Sequence, residues 1–330
     1  MSDRKVVLWI FGCQRSGTTA TLNGLGAMAS SVIAYDEIND IIHDCSKLEV
    51  HNAIRLKPNS ELEAIFAKQR AEVIVAKPLM ESQRAAELLD DFPNSVGLWL
   101  LRGYRAVANS MIKKWGTEAG FVQLLPILKG QGTWREENVP DWVVEKVHQH
   151  ANPEMPHADG CALFWYVRNA LFLEQNLGAH PRMAVVQYER LVTEPGYLSK
   201  QLRSVGIECG LDPDFYTAGS LHKGREIEIS EPIAELCDDL EEKLLKAAKA
   251  AESRKPSTIA SLRNSPRETI GKPGFWRNLP VFRRVYRERA RANELRAKCD
   301  ELRRQRDEFK RRHEATRQRL EAVRSIVSES

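Results

Sequence analysis

The stretch Val6 to Gly26, VVLWIFGCQRSGTTATLNGLG, constrains this chain more than any other. Val6, Val7, Leu8, Trp9, Ile10 and Phe11 are continuously apolar and β-prone, the pattern of a strand covered on both faces of a parallel sheet. Gly12 ends that run. Gly12-Cys-Gln-Arg-Ser-Gly17-Thr18-Thr19 then has the glycine spacing of a phosphate-binding loop, in which consecutive backbone amides wrap an anion at a helix N-terminus. A helix from Thr19 to Met28 follows, with Leu22 and Leu25 turned inward.

The residues in the loop narrow the choice of anion. A nucleotide triphosphatase places Lys after the second glycine to reach the β- and γ-phosphates, with Ser or Thr on Mg²⁺. Here Thr18 holds the Lys place, and the cation, Arg15, sits inside the loop. No later apolar run ends in the bare Asp of a magnesium-holding strand: Val96 to Leu101 ends in Arg102, and Met183 to Val186 runs into Gln187-Tyr188-Glu189. The loop therefore suits a terminal group that carries less charge and needs no metal, such as a sulfuryl group on a phosphate.

Two motifs carry a family resemblance. Arg15-Ser16-Gly17-Thr18-Thr19 follows the first strand, and Leu98-Trp-Leu-Leu-Arg102-Gly-Tyr-Arg105-Ala-Val-Ala-Asn-Ser110 places Ser110 eight residues beyond a strand-end arginine. Both resemble the signatures of the sulfotransferases that use 3′-phosphoadenosine 5′-phosphosulfate (PAPS), most closely the tyrosylprotein and bacterial carbohydrate branches. The resemblance implies a P-loop three-layer α/β/α fold with a central parallel sheet. It also implies PAPS as cosubstrate, held by Arg15, Ser16, Gly17, Thr18 and Thr19 at the phosphosulfate and by Arg102 and Ser110 at the 3′-phosphate. No metal is expected. On residue type alone, Ser110 also reads as a small helix-packing residue.

Asp36-Glu37-Ile-Asn-Asp40 follows a second strand, Ser31 to Tyr35, and so lies at the carboxyl edge of the sheet, where ligands of open α/β folds bind. From residue type, Asp36 or Asp40 reads as a helix N-cap. The resemblance instead assigns Glu37 as the base that takes the acceptor hydroxyl proton. It assigns Lys77, after the strand Glu72 to Ala76, to the leaving group, although the motif here is Lys77-Pro78 without a spacer. In the cytosolic branch the base is a His, which makes His148, His150 and His157 runners-up. Lys223 and Arg225 read either as a late phosphate-covering loop or as a surface turn.

Between these motifs the sequence predicts a polar helix over Ile38 to Glu72 with a capping box at Ser60-Glu-Leu-Glu63. Further helices are expected at Glu81–Phe92, Tyr104–Trp115, Ala158–Leu177, Leu198–Val205 and Glu231–Ala251, and a strand at Pro181–Gln187. Gly116 to His157 reads as an irregular segment that forms the acceptor pocket or a lid.

Charge divides the chain. Residues 275–330 hold 17 Lys/Arg against 9 Asp/Glu, a net +8, which leaves −4 on the first 274 residues of a chain whose total is +4. The sequence thus reads as a PAPS-binding domain at 1–251, a Ser/Pro/Arg/Gly-rich linker at 252–274 and a basic helix at 275–330. Leu295, Leu302, Phe309, Thr316 and Val323 repeat every seven residues, with Cys299, Arg306, His313, Leu320 and Val327 four after each. That is a coiled-coil seam for a second copy or a partner helix, weakened by its polar core positions.

Cys13, Cys45, Cys161, Cys209, Cys237 and Cys299 are scattered without Cys-x-x-Cys and read as reduced, packed thiols. With no signal-like or membrane-length apolar run, the expected location is cytoplasmic. The expected activity is sulfuryl transfer to a hydroxyl on a glycan, lipid or small metabolite. Two alternatives remain at this stage: a P-loop nucleotide kinase or hydrolase, and a coiled-coil scaffold with an inactive nucleotide-binding core. The basic tail lacks a nucleic-acid motif and interleaved aromatics, so no specific nucleic acid is expected.

Overall fold

Five parallel strands, in the order β2-β5-β1-β6-β7, form the central sheet of the computed structural model, which describes residues 5–28, 31–37, 39–44, 54–116, 119–209, 227–254 and 260–262. β1 (Val6–Gly12) is the middle strand and leads through residues 13–17 into α1 (Thr18–Met28). β2 (Val32–Tyr35) forms one edge. After it come a two-residue hairpin, β3 (His43–Asp44) with β4 (Arg55–Leu56), and then α2 (Asn59–Lys68), β5 (Val73–Ala76) and a 3₁₀ turn at Leu79–Arg84. α3 (Ala85–Asp91), β6 (Ser95–Leu101) and α4 (Tyr104–Trp115) follow, then α5 (Phe121–Lys129), α6 (Asp141–His150) and α7 (His157–Glu174). β7 (Met183–Gln187) is the other edge, followed by α8 (Tyr188–Thr193), α9 (Tyr197–Arg203), β8 (Ile207–Cys209), α10 (Glu231–Glu252) and β9 (Ala260–Leu262).

The continuous apolar run of β1 is buried along its whole length because both faces of the sheet are covered. Successive side chains point to opposite faces. Val7, Trp9 and Phe11 join the core built with α3, α4, α7 and α10, while Val6, Leu8 and Ile10 join Leu22 and Leu25 of α1 and Leu198 and Leu202 of α9. Trp9 meets Phe92 edge-on at 5.5 Å and Phe66 at 6.1 Å between ring centroids. Burying a side chain of this kind contributes about 1.5–3 kcal/mol, so the two cores fix which face each strand shows.

Four expectations are corrected. Ile38 to Glu72 is not one helix: β3, β4 and α2 occupy its described part. The hairpin is set by a tertiary contact, since the buried Glu81 carboxylate accepts Arg55 Nε at 2.7 Å, Arg55 Nη2 at 2.8 Å and the Leu56 amide at 3.0 Å. The capping box at Ser60 is absent. Instead, α2 starts behind Pro58, whose carbonyl accepts the Glu61 and Leu62 amides at 2.9 and 3.0 Å. Gly116 to His157 is only partly irregular, because α5 with 9 residues and α6 with 10 lie within it and bury Leu124, Ile127, Val143 and Val147.

The helix expected from Glu81 opens instead as the 3₁₀ turn, whose Ser82 hydroxyl donates to Leu79 O at 2.9 Å and accepts the Gly12 amide at 3.2 Å. Within the segment read as a linker, β9 pairs in parallel with β8. The coiled-coil seam and the Lys223–Arg225 loop lie outside the described residues. No described helix is long and apolar enough to cross a membrane.

Candidate functional site

Of Arg15, Ser16, Gly17, Thr18, Thr19, Glu37, Lys77, Arg102 and Ser110, all except Ser110 lie at or just beyond the carboxyl end of a sheet strand or in the first turn of α1. Parallel pairing brings those ends together: Trp9 and Tyr35 both align with Ala76, and Gly12 aligns with Leu100. Residues 13–17 leave β1, Asp36 and Glu37 leave β2, Lys77 leaves β5, Arg102 leaves β6 and Tyr188 leaves β7. This is the edge at which open α/β sheets bind ligands.

The turn out of β1 requires glycine. Gly12 has φ +125°, and a Cβ there would stand 2.6 Å from the Leu100 carbonyl oxygen. Gly17 has φ +88°, and its missing Cβ leaves room for the Tyr188 ring, 2.3 Å from where that carbon would be. Between them Arg15 adopts φ +72°, a left-handed conformation that costs a non-glycine residue about 1–2 kcal/mol. Tertiary hydrogen bonds hold it there. Arg102 Nη1 donates to the Arg15 carbonyl at 3.1 Å, and Arg15 Nε donates to Ser110 Oγ at 3.0 Å. The first-turn amides of Thr18 and Thr19 have no acceptor inside α1, as at any helix start.

The Arg102 guanidinium stacks 4.5 Å over the Tyr188 ring, the same ring that packs on Gly17. Its own backbone is fixed by Trp165, whose Nε1 donates to the Arg102 carbonyl at 2.9 Å. Arg102 is 7% exposed. Burial, and then the Arg102 charge, lower the proton affinity of Arg15, while Glu37 raises it. Two neighbouring arginines beside a helix-start loop are groups that suit an anion. Ser16 points to the same need: it is fully buried, and its hydroxyl oxygen has no hydrogen-bond partner among the described residues.

A second cluster stands at the ends of β2 and β5. Lys77 is 1% exposed, and its ammonium donates to Thr19 Oγ1 at 2.7 Å. It pairs with Asp36 Oδ1 at 2.7 Å and lies 3.7 Å from Glu37 Oε1. Thr19 thus links this cluster to the loop, and the Glu37 effect on Arg15 links it to the first cluster. In chemical terms, the edge offers helix-start amides and two guanidiniums to an anion, beside a partly exposed carboxylate and a buried ammonium.

The structure therefore brings Arg15, Ser16, Gly17, Thr18, Thr19, Arg102 and Ser110 together, and Glu37 with Lys77. It draws none of His148, His150 and His157 into the Lys77 cluster; they lie at the end of α6 and the start of α7. Three contributors escaped sequence reasoning. Tyr188 and Glu189, whose carboxylate accepts the Gly103 amide at 3.1 Å, entered the sequence analysis only as the residues into which the last strand runs. Asp36 read as a helix cap, and in the structure it is the nearer counter-ion of Lys77.

No protein-family model and no curated protein matches the chain. It is similar to three solved structures of sulfotransferases. A sulfotransferase from Alicyclobacillus acidocaldarius is 14% identical, with 76% of this chain and 96% of that one covered, at a TM-score of 0.40. The sulfotransferase domain from the curacin biosynthetic pathway is 17% identical over 77% of this chain and 100% of its own, at 0.39. The sulfotransferase domain from the Synechococcus PCC 7002 olefin synthase is 14% identical over 77% and 98%, at 0.38.

Proposed function

We propose that the chain transfers a sulfuryl group from PAPS to a hydroxyl of a glycan, a lipid or a small metabolite. The observation that carries this reading is the meeting of Arg15, Arg102 and Ser110, spread over 95 residues of the chain, in one hydrogen-bonded, partly buried cationic corner beside the anion-type loop. A nucleotide with a second phosphate on its ribose meets the demand of that corner, and the orphaned Ser16 hydroxyl meets its phosphosulfate end.

PAPS would supply an activated sulfuryl group whose departure leaves 3′,5′-diphosphoadenosine (PAP). The chain does the rest by placement and charge. The amides of residues 16–19, with Arg15, hold the sulfonated end. Arg102 and Ser110 hold the 3′-phosphate and so set the register of the nucleotide. Glu37 takes the proton of the acceptor hydroxyl, and Lys77 offsets charge on the leaving oxygen, with Arg15 as the second cation.

Incubating the purified protein with radiolabelled PAPS and a cell extract tests the reading. A labelled, PAP-inhibited product is expected. Absence of label transfer together with magnesium-dependent ATP turnover would favour a kinase or hydrolase instead.

A further inference from the structure

We propose that Asp36 is a positioning residue of the transfer site, holding Lys77 toward the loop through the short ion pair and leaving Glu37 the longer one. The inference rests on the proposed function, since it gives Lys77 and Glu37 their roles there.

The sheet makes the arrangement. β2 and β5 are parallel neighbours, and their pairing continues one residue past the end of β5, where the Lys77 amide donates to the carbonyl of Tyr35, the last residue of β2, at 3.0 Å. The next residue on the β2 side is Asp36, so its carboxylate and the Lys77 ammonium leave adjacent backbone positions. One oxygen does two jobs: Asp36 Oδ1 accepts Lys77 Nζ at 2.7 Å and the Glu37 amide at 2.7 Å. The side chain thereby orients the base-bearing segment and the buried cation from a single point.

The distances assign the charges. A buried ammonium needs a counter-charge, and breaking such a pair is strongly unfavourable. Lys77 is 1% exposed and has two carboxylates beside it, Asp36 at 2.7 Å and Glu37 at 3.7 Å. Only the first is within hydrogen-bonding distance. A Glu37 in direct contact with Lys77 would hold its proton more weakly and serve worse as a base. In the structure Asp36 Oδ1 takes the short contact with the ammonium, and Glu37 Oε1 keeps the longer one. A second ammonium hydrogen goes to Thr19 Oγ1 at 2.7 Å, in the first turn of α1, so Asp36 and Thr19 together aim the ammonium at the loop.

Asp36→Asn keeps a side-chain oxygen for both bonds and removes the charge; Asp36→Ala removes both. The measurements on the full chain are the maximal rate of label transfer from saturating radiolabelled PAPS to a fixed extract of acceptors, the half-saturating extract concentration, PAP affinity by calorimetry and melting temperature. Asp36→Asn is expected to lower the maximal rate by about 10- to 100-fold, as misplacement of a reacting group does. PAP affinity and the half-saturating concentration should stay within about threefold and melting within a few degrees. Asp36→Ala should lose more rate than Asp36→Asn. A wild-type rate in Asp36→Asn, or a loss of rate matched by an equal loss of PAP affinity, overturns the proposal. Lys77→Met separates the two levels. If it abolishes transfer while Asp36→Asn leaves the rate intact, only the role of Asp36 fails. If Lys77→Met transfers at full rate, the assignment of Lys77 fails first.

Discussion

Arg15 and Ser110, 95 residues apart in sequence, are joined by a 3.0 Å hydrogen bond from the guanidinium Nε to the serine hydroxyl. One belongs to the loop after β1 and the other to the middle of α4, and Arg102 bonds the Arg15 carbonyl from the strand end between them. The two halves expected of a PAPS site, one for the phosphosulfate and one for the 3′-phosphate, therefore form one connected corner.

Substitutions in that corner should act on the nucleotide rather than on the acceptor. Arg102→Ala should weaken PAP binding by about 2–3 kcal/mol, the range for charged hydrogen bonds, and Ser110→Ala by about 1 kcal/mol. Neither should change AMP binding by more than a few tenths of that. Calorimetric titration of each variant with both nucleotides checks this, and equal losses for PAP and AMP would take the 3′-phosphate away from these residues.

Glu37→Gln keeps the shape of the side chain and removes its capacity to accept a proton. Turnover should fall by at least about 100-fold, the lower range for a lost general base, with PAP affinity unchanged. Steady-state rates and a PAP titration on the same preparation check this. A variant that turns over normally would move the base to another residue.

The glycines make a stability prediction. Gly12→Ala puts a methyl 2.6 Å from a backbone carbonyl that cannot move aside, in a conformation few side chains adopt. It should destabilise the fold by more than about 2 kcal/mol. Gly130, φ +58° and ψ +54°, has nothing within 4 Å of its Cβ position, so Gly130→Ala should cost only the left-handed strain, about 1 kcal/mol. Denaturant midpoints at unchanged slope measure both.

Stability should also depend on pH through Glu241. This α10 side chain stands close to the Gly103 backbone, near Glu189. Burial first, then the charges of Glu189 and Asp238, push its carboxyl up to about 7 from an ordinary 4.5, against the pull of Arg105. Between those values the folded chain keeps a proton that the unfolded chain has released. Its contribution is therefore full below pH 4.5 and declines as pH rises to about 7, with a slope of up to about 1.4 kcal/mol per pH unit. Denaturant midpoints of wild type and Glu241→Gln should diverge across that window, the variant being the more stable above pH 7. Parallel profiles would contradict the assignment.

What could be read in the sequence, and what could not, divides along physical lines. β1, its glycine-bounded turn and α1 were legible because a buried parallel strand is continuously apolar, and the turn needs glycines at two strained positions. α4 and α10 were legible from their helical spacing. The β3–β4 hairpin was not: each strand has two residues, too short for any period, and it is held by Glu81, 25 residues beyond Leu56. α5 and α6 were hidden because they begin behind Gly120 and Pro140 without a side-chain cap, so tertiary packing, not local signals, defines them. The double contact of Asp36 was out of reach for a similar reason. It depends on β5 lying beside β2 in the sheet, an order that sequence proximity does not give.

The most direct test of the account is a calorimetric comparison of PAP with AMP on the wild-type chain, run with and without chelator. The account predicts that PAP binds at least about tenfold more tightly and that the chelator changes nothing, because arginines, a serine and backbone amides supply the whole site. Equal affinity for the two nucleotides, or no binding of PAP, would contradict it.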